Sequence, residues 1–230
     1  MSKDLKDKVQ KQLEWDSRID AKDVDVELKG KKIRLKGKVP SLVAKTAATV
    51  SAYSVAGGHH VENKLEVAYP KDFKVPSDDE ITDRIRTSLG VYQTIDESDI
   101  EIVVDKGIVN LKGSVDAFWK KQRAEQVAST ISGVREIENH LSVVPTDDVV
   151  DEKIADSVVK ALERDSRIEA DKIDVSVEDG VVTIRGDVPD WAGYAAALYC
   201  AANTVAVKNV MTNLTVQGGV VDTIRTLFEM

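Results

Sequence analysis

The chain has 230 residues, 42% hydrophobic and 31% charged, with a net charge of −8 and one cysteine. This balance predicts a folded, soluble chain, and no stretch approaches the roughly 20 consecutive apolar residues of a membrane-spanning helix. A single cysteine, Cys200, excludes an internal disulfide. The segment Met1 to Asp7 alternates charge without an apolar core, so no secretory signal is expected. The expected location is the cytoplasm, or the periplasm if the sequence is a mature form.

Three stretches align without gaps when 76 is added to the numbers of the first for the second, and 149 for the third. Each begins with a helix whose apolar residues recur every fourth position: Leu5/Val9/Leu13, Ile81/Ile85/Leu89 and Ile154/Val158/Leu162. A spacer follows, Asp16-Ser17-Arg18-Ile19-Asp20-Ala21 in copy one and Asp165-Ser166-Arg167-Ile168-Glu169-Ala170 in copy three; copy two has diverged here.

Two alternating runs come next, Val24 to Leu28 and Ile33 to Leu35, with counterparts from Ile100 and Ile108, and from Ile173 and Val181. A short turn bearing Gly30, Gly107 or Gly180 separates them, which predicts a β-hairpin. Each second strand runs into a glycine, Gly37, Gly113 or Gly186, where a bulge or close backbone approach needs one. A second helix carries the small pairs Ala48/Ala52, Ala124/Ala128 and Ala197/Ala201, which let a helix lie close on a sheet. Third strands close the copies at Val61 to Val67, Ile137 to Val143 and Val210 to Val216.

The expected class is therefore α+β: three tandem αββαβ domains, each a mixed three-stranded sheet with two helices on one face. Boundaries are expected at 1–69, 78–145 and 149–216, with a tail at 217–230 whose apolar spacing suits a short helix. Linkers begin at Pro70 and Pro145 and read as semi-rigid spacers.

The pattern resembles the BON domain, the module named for bacterial osmotically induced and nodulation proteins. The resemblance rests on Leu35-Lys36-Gly37-Lys38-Val39, Leu111-Lys112-Gly113-Ser114-Val115 and Ile184-Arg185-Gly186-Asp187-Val188, and on Gly133, Val134, Ile137, Asn139 and Leu141 in the close of copy two. Copy one instead turns with Gly57-Gly58-His59-His60, and copy three has Ala206-Val207 with no glycine. The resemblance implies a stress-related, non-enzymatic protein associated with phospholipid or envelope surfaces. Two alternatives stand beside it: a protein-interaction scaffold, and a small-cation binder of the kind known in the family.

Catalytic chemistry finds no foothold. The histidines His59, His60 and His140 do not read as a metal set, because adjacent strand residues face opposite ways. Cys200 replaces Ser51 and Val127 on an Ala-rich helix face and reads as a packing residue. Carboxylates are scattered, and neither a phosphate-binding glycine loop nor the Gly-x-x-Gly clamp of αββαβ RNA binders is present. No catalytic residue, cofactor or metal is expected.

Two features stand out as contacts. Lys+Arg against Asp+Glu counts 14 to 10 over residues 1–70, 8 to 12 over 79–144 and 7 to 14 over 145–216. Nucleic acid is not expected as a partner, and any anionic surface has to meet copy one. There Lys29, Lys31, Lys32, Arg34, Lys36 and Lys38 make the candidate lipid contact, with Lys32, Arg34, Lys36 and Lys38 on one strand face; the plain alternative is a solvated strand. The other feature is apolar bulk opening the second helices: Leu42, Phe118-Trp119, and Trp191 with Tyr194. Such aromatics suit an exposed junction that meets lipid or a protein partner, or packing within the chain.

Overall fold

The computed structural model describes residues 2–216 together with 219–220. Copy one runs α1 (Ser2–Trp15), β1 (Val24–Lys29), β2 (Lys32–Val39), α2 (Leu42–Val55) and β3 (His60–Val67). Copy two repeats this as α3 (Asp78–Gly90), β4 (Ile100–Asp105), β5 (Ile108–Val115), α4 (Phe118–Ser129) and a third strand split into β6 (Glu136–Asn139) and β7 (Ser142–Val143). Copy three follows as α5 (Asp151–Arg164), β8 (Ile173–Glu178), β9 (Val181–Val188), α6 (Trp191–Ala202) and β10 (Asn209–Val216). In each copy the first two strands pair antiparallel and the third joins the second in parallel, across the second helix. The fold is the expected set of three mixed sheets.

The helical stripes bury as their spacing requires. Val9, Leu13, Ile81, Ile85, Leu89, Ile154, Val158 and Leu162 are all within 2% exposure, each contributing about 1.5–3 kcal/mol. The alanine pairs Ala48/Ala52, Ala124/Ala128 and Ala197/Ala201 are fully buried against the sheets. A single 3₁₀ turn (Ala21–Asp23, Glu97–Asp99, Ala170–Lys172) closes each spacer and leads into the first strand.

The glycine that ends each hairpin has a steric cause. At Gly37, with φ of +119°, a Cβ would lie 1.8 Å from the Asp23 carbonyl oxygen, and a Cβ at Gly113 or Gly186 would lie 2.0 or 2.1 Å from the carbonyl oxygen of Asp99 or Lys172. Strand one is therefore pressed onto strand two where only glycine fits.

The hairpin turns of copies two and three are tied back to the first helix. Asp78, the first residue of α3, accepts hydrogen bonds from Lys106 N at 2.7 Å and Gly107 N at 2.9 Å. Asp151 of α5 accepts from Asp179 N and Gly180 N at 2.8 and 2.9 Å. Copy one has Ser2 at that position.

Three local features depart from the sequence reading. Copy three makes its left-handed turn without glycine, holding Ala206 at φ of +64° where Gly57 and Gly133 stand in the other copies. The third strand of copy two breaks around His140 and Leu141. The tail does not begin as a helix: β11 (Gly219–Val220) pairs antiparallel with the end of β10, and the rest of the expected tail helix lies outside the described residues.

The copies do not stand apart. The cores of copies one and three are one continuous apolar body, running from Val9 and Leu35 to Ile184 and Leu214. Copy two keeps its own core around Ile85, Leu111 and Leu141.

Candidate functional site

The basic hairpin of copy one is less uniform than its sequence. The two-residue turn sets Glu27 across from Arg34, and the parallel register sets Glu62 on the other side of Arg34. Arg34 Nε donates to Glu62 Oε2 at 2.8 Å, and Lys36 Nζ to Glu27 Oε1 at 2.8 Å. The hydrogen bond from Lys36 holds the Glu27 carboxyl below its ordinary range, and that from Arg34 does the same for Glu62. The middle of the stripe is thus paired. The charge left over sits at the hairpin tip, where Lys29, Lys31 and Lys32 are exposed, and at Lys38 on the far end of β2. Lys29 approaches Glu27 only to 4.0 Å.

The aromatic junctions are placed differently from an exposed contact. Phe118, Trp191 and Tyr194 are 7%, 8% and 0% exposed, so of the two placements open to these aromatics all three take packing within the chain. Trp119 is half-buried, with the Lys120 ammonium 5.8 Å from its ring centre. Trp191 stacks on Tyr194 at 5.0 Å and, across the boundary between copies, on Tyr53 of copy one at 4.7 Å with the ring planes 6° apart. The cause is apolar area: these rings cover the Ala-rich second helices, which offer little bulk of their own.

The remaining candidates have structural partners. His59 Nδ1 lies 2.8 Å from the Ala56 carbonyl and His60 Nδ1 lies 3.4 Å from the Tyr53 hydroxyl, so the two rings do not converge. His140 is exposed beside Glu138. Burial pushes the Cys200 thiol up, and its Sγ lies 3.6 Å from the Ala161 carbonyl oxygen. Among the described residues no group of three or more His, Cys, Asp or Glu side chains is placed to hold a metal ion. Nor, among those residues, is any helix long and apolar enough to cross a membrane.

Two polar networks were not read from the sequence. Asp16 is buried and accepts from Arg18 Nε at 3.0 Å, Arg18 Nη2 at 2.8 Å and Ser51 Oγ at 2.9 Å. The side-chain bond from Arg18 leads in lowering its pKa to about 2. Asp165 and Arg167 repeat the fork in copy three, where Cys200 stands in place of Ser51. The near identity of the two spacers was the available signal. The second network is the Asn of the third strand: Asn63 Nδ2 donates to Lys45 O at 2.8 Å and Asn139 Nδ2 to Lys121 O at 2.9 Å, stitching strand to helix.

Three tandem αββαβ units share a glycine-pinched hairpin, and in copies one and two an asparagine stitches the third strand to the second helix. The chain belongs to the BON domain family, whose profile matches residues 2–69, 77–145 and 150–218. It is similar to osmotically-inducible protein Y of Escherichia coli (strain K12), 29% identical over 126 residues that cover 54% of this chain and 63% of that protein. The match thus spans less than two thirds of that relative. Two solved structures of CdsD, a structural protein of the type III secretion system of Chlamydia trachomatis, align over 92% and 96% of this chain and 91% and 98% of theirs. Their identities are 11% and 12% and their TM-scores 0.25 and 0.26, and nothing is carried over from them.

Proposed function

We propose that this protein is a non-enzymatic, stress-related binding protein that associates peripherally with anionic phospholipid through the tip of the copy-one hairpin. The observation that carries the reading is the contrast along that hairpin. Arg34 and Lys36 are paired at 2.8 Å, whereas Lys29, Lys31 and Lys32 crowd an exposed turn. A lysine-rich turn is a compact group of mobile cations, each adding about 1 kcal/mol near a negatively charged bilayer. Membership of the BON family and the likeness to a protein named for osmotic induction support the stress-related part of the reading. Burial of Phe118, Trp191 and Tyr194 favours an electrostatic contact at the exposed lysines over insertion of these rings. The proposal holds in the cytoplasm or the periplasm, since both compartments face phospholipid.

Co-sedimentation of the full chain with vesicles of neutral lipid, and of neutral lipid mixed with an anionic lipid, tests it. Binding to the anionic vesicles alone, falling steeply as salt rises, is the expected result. Binding that is equal on both vesicles would overturn it, and no binding to either would bring the scaffold reading forward.

A further inference from the structure

Leu42, Phe118 and Trp191 occupy one position of the repeat, the first residue of the second helix. Each reaches out of its own copy. Leu42 of copy one packs against the core of copy two. Phe118, although carried by copy two, is buried in the core shared by copies one and three. Trp191 of copy three lies flat on Tyr53 of copy one. Between α2 and α4 a cavity of about 80 Å³ remains, lined by Val43, Thr46 and Ala47 on one side and by Gln126, Ser129 and Thr130 on the other. The same element thus mediates contact at each junction, and the last contact joins copies that are a whole domain apart in sequence.

The residues at that last contact are matched to each other. Tyr53 corresponds to Ser129 in copy two and Ala202 in copy three, so the aromatic seat exists only in copy one. The largest plug, Trp191, exists only in copy three, where the equivalent residues elsewhere are Leu42 and Phe118. Copies one and two, and copies two and three, are held near each other by short linkers. Copies one and three have no linker between them, and Trp191 and Tyr53 bring them into ring-on-ring contact. Trp191 Nε1 is buried with no acceptor among the described residues. The seat therefore selects a flat apolar ring rather than a hydrogen-bonding group.

We propose that the second-helix face is a docking surface for another BON copy, with the first residue of the helix as plug, and that copy one binds copy three through Trp191 and Tyr53 independently of the linker. The partner it fits is a domain of the same fold presenting an aromatic ring at the start of its second helix. This does not rest on the lipid reading.

The test uses the full chain with a protease recognition sequence placed between Pro70 and Pro76, cleaved after folding. The two pieces are then followed by size-exclusion chromatography and native mass spectrometry over a dilution series. The nicked protein is expected to travel as one species. Tyr53→Ala should raise the dissociation constant of the pieces on the order of a hundredfold, the effect of truncating a central interface aromatic. Trp15→Ala, at a ring that is 78% exposed, should leave it unchanged. Alanine is the native residue at the equivalent position of copy three, Ala202, and circular dichroism of the uncut Tyr53→Ala chain verifies folding. The Tyr69 hydroxyl, which donates to the Val134 carbonyl at 3.0 Å, stays on the first piece in every variant and so cancels. Separation of the nicked wild type, or equal constants for Tyr53→Ala and Trp15→Ala, would overturn the proposal.

Discussion

Replacing Gly37 by alanine should cost far more than replacing Gly30, although both are hairpin glycines of one copy with positive φ. At Gly30, φ is +59° and a Cβ would meet nothing within 4 Å. The cost there is the left-handed conformation alone, about 1–2 kcal/mol. At Gly37, φ is +119° and the Cβ would stand 1.8 Å from the Asp23 carbonyl oxygen and 3.0 Å from its carbon. The obstacle is backbone, so β1 has to move by more than an ångström, weakening the pairing of Val24 with Gly37 where the ladder starts. Conformational strain of about 1–3 kcal/mol and a weakened hydrogen bond or two of about 1 kcal/mol each bring the loss to about 2–5 kcal/mol. Denaturant unfolding of the full chain, followed by circular dichroism, measures both variants against wild type. A Gly37→Ala loss no larger than that of Gly30→Ala would refute the close-approach argument and, with it, the account of the Leu-x-Gly-x-Val motif.

Two further predictions concern the buried fork and the copy-three turn. The Asp16 pKa is depressed from 3.8 to about 2, so its contribution is complete above about pH 4 and is lost as pH falls through about 2. Asp16→Asn should remove on the order of 1–2 kcal/mol at neutral pH, Arg18 being half exposed, and should shallow the acid limb of a stability-versus-pH curve; an acid limb of unaltered slope would contradict the assignment. Ala206→Gly should raise stability by about 0.5–1 kcal/mol, because relief of a left-handed alanine outweighs the added freedom of the unfolded chain. A lower melting temperature for that variant would show that the Ala206 methyl packs usefully.

Much of the fold was legible because each element carries two agreeing signals, repeated in all three copies. The stripe through Ile81, Ile85 and Leu89 and the alanine pair Ala124/Ala128 both name their buried faces, and Gly113 marks the pinch between strands. The split of the copy-two strand and the left-handed Ala206 were not legible, since they depend on how a turn is held by its surroundings rather than on residue preference. For the candidate site the limit was pairing across distance. Opposition of Glu27 and Arg34 follows from a two-residue turn at Gly30-Lys31, but the partner Glu62 requires the parallel register of β2 and β3, which no local pattern encodes. Burial of Trp191 was likewise hidden, because its seat, Tyr53, lies in another copy.

The most direct test of the proposed function compares two sets of substitutions in the same vesicle assay. Lys29→Gln, Lys31→Gln and Lys32→Gln together remove the exposed tip, whereas Arg34→Gln with Glu62→Gln removes a paired cation and anion and leaves the net charge unchanged. At low salt the triple variant should lose about 3 kcal/mol of affinity for anionic vesicles, on the order of a hundredfold, and the double variant should bind as wild type does. Equal losses in the two, or full binding by the triple variant, would contradict the claim that the hairpin tip meets the membrane.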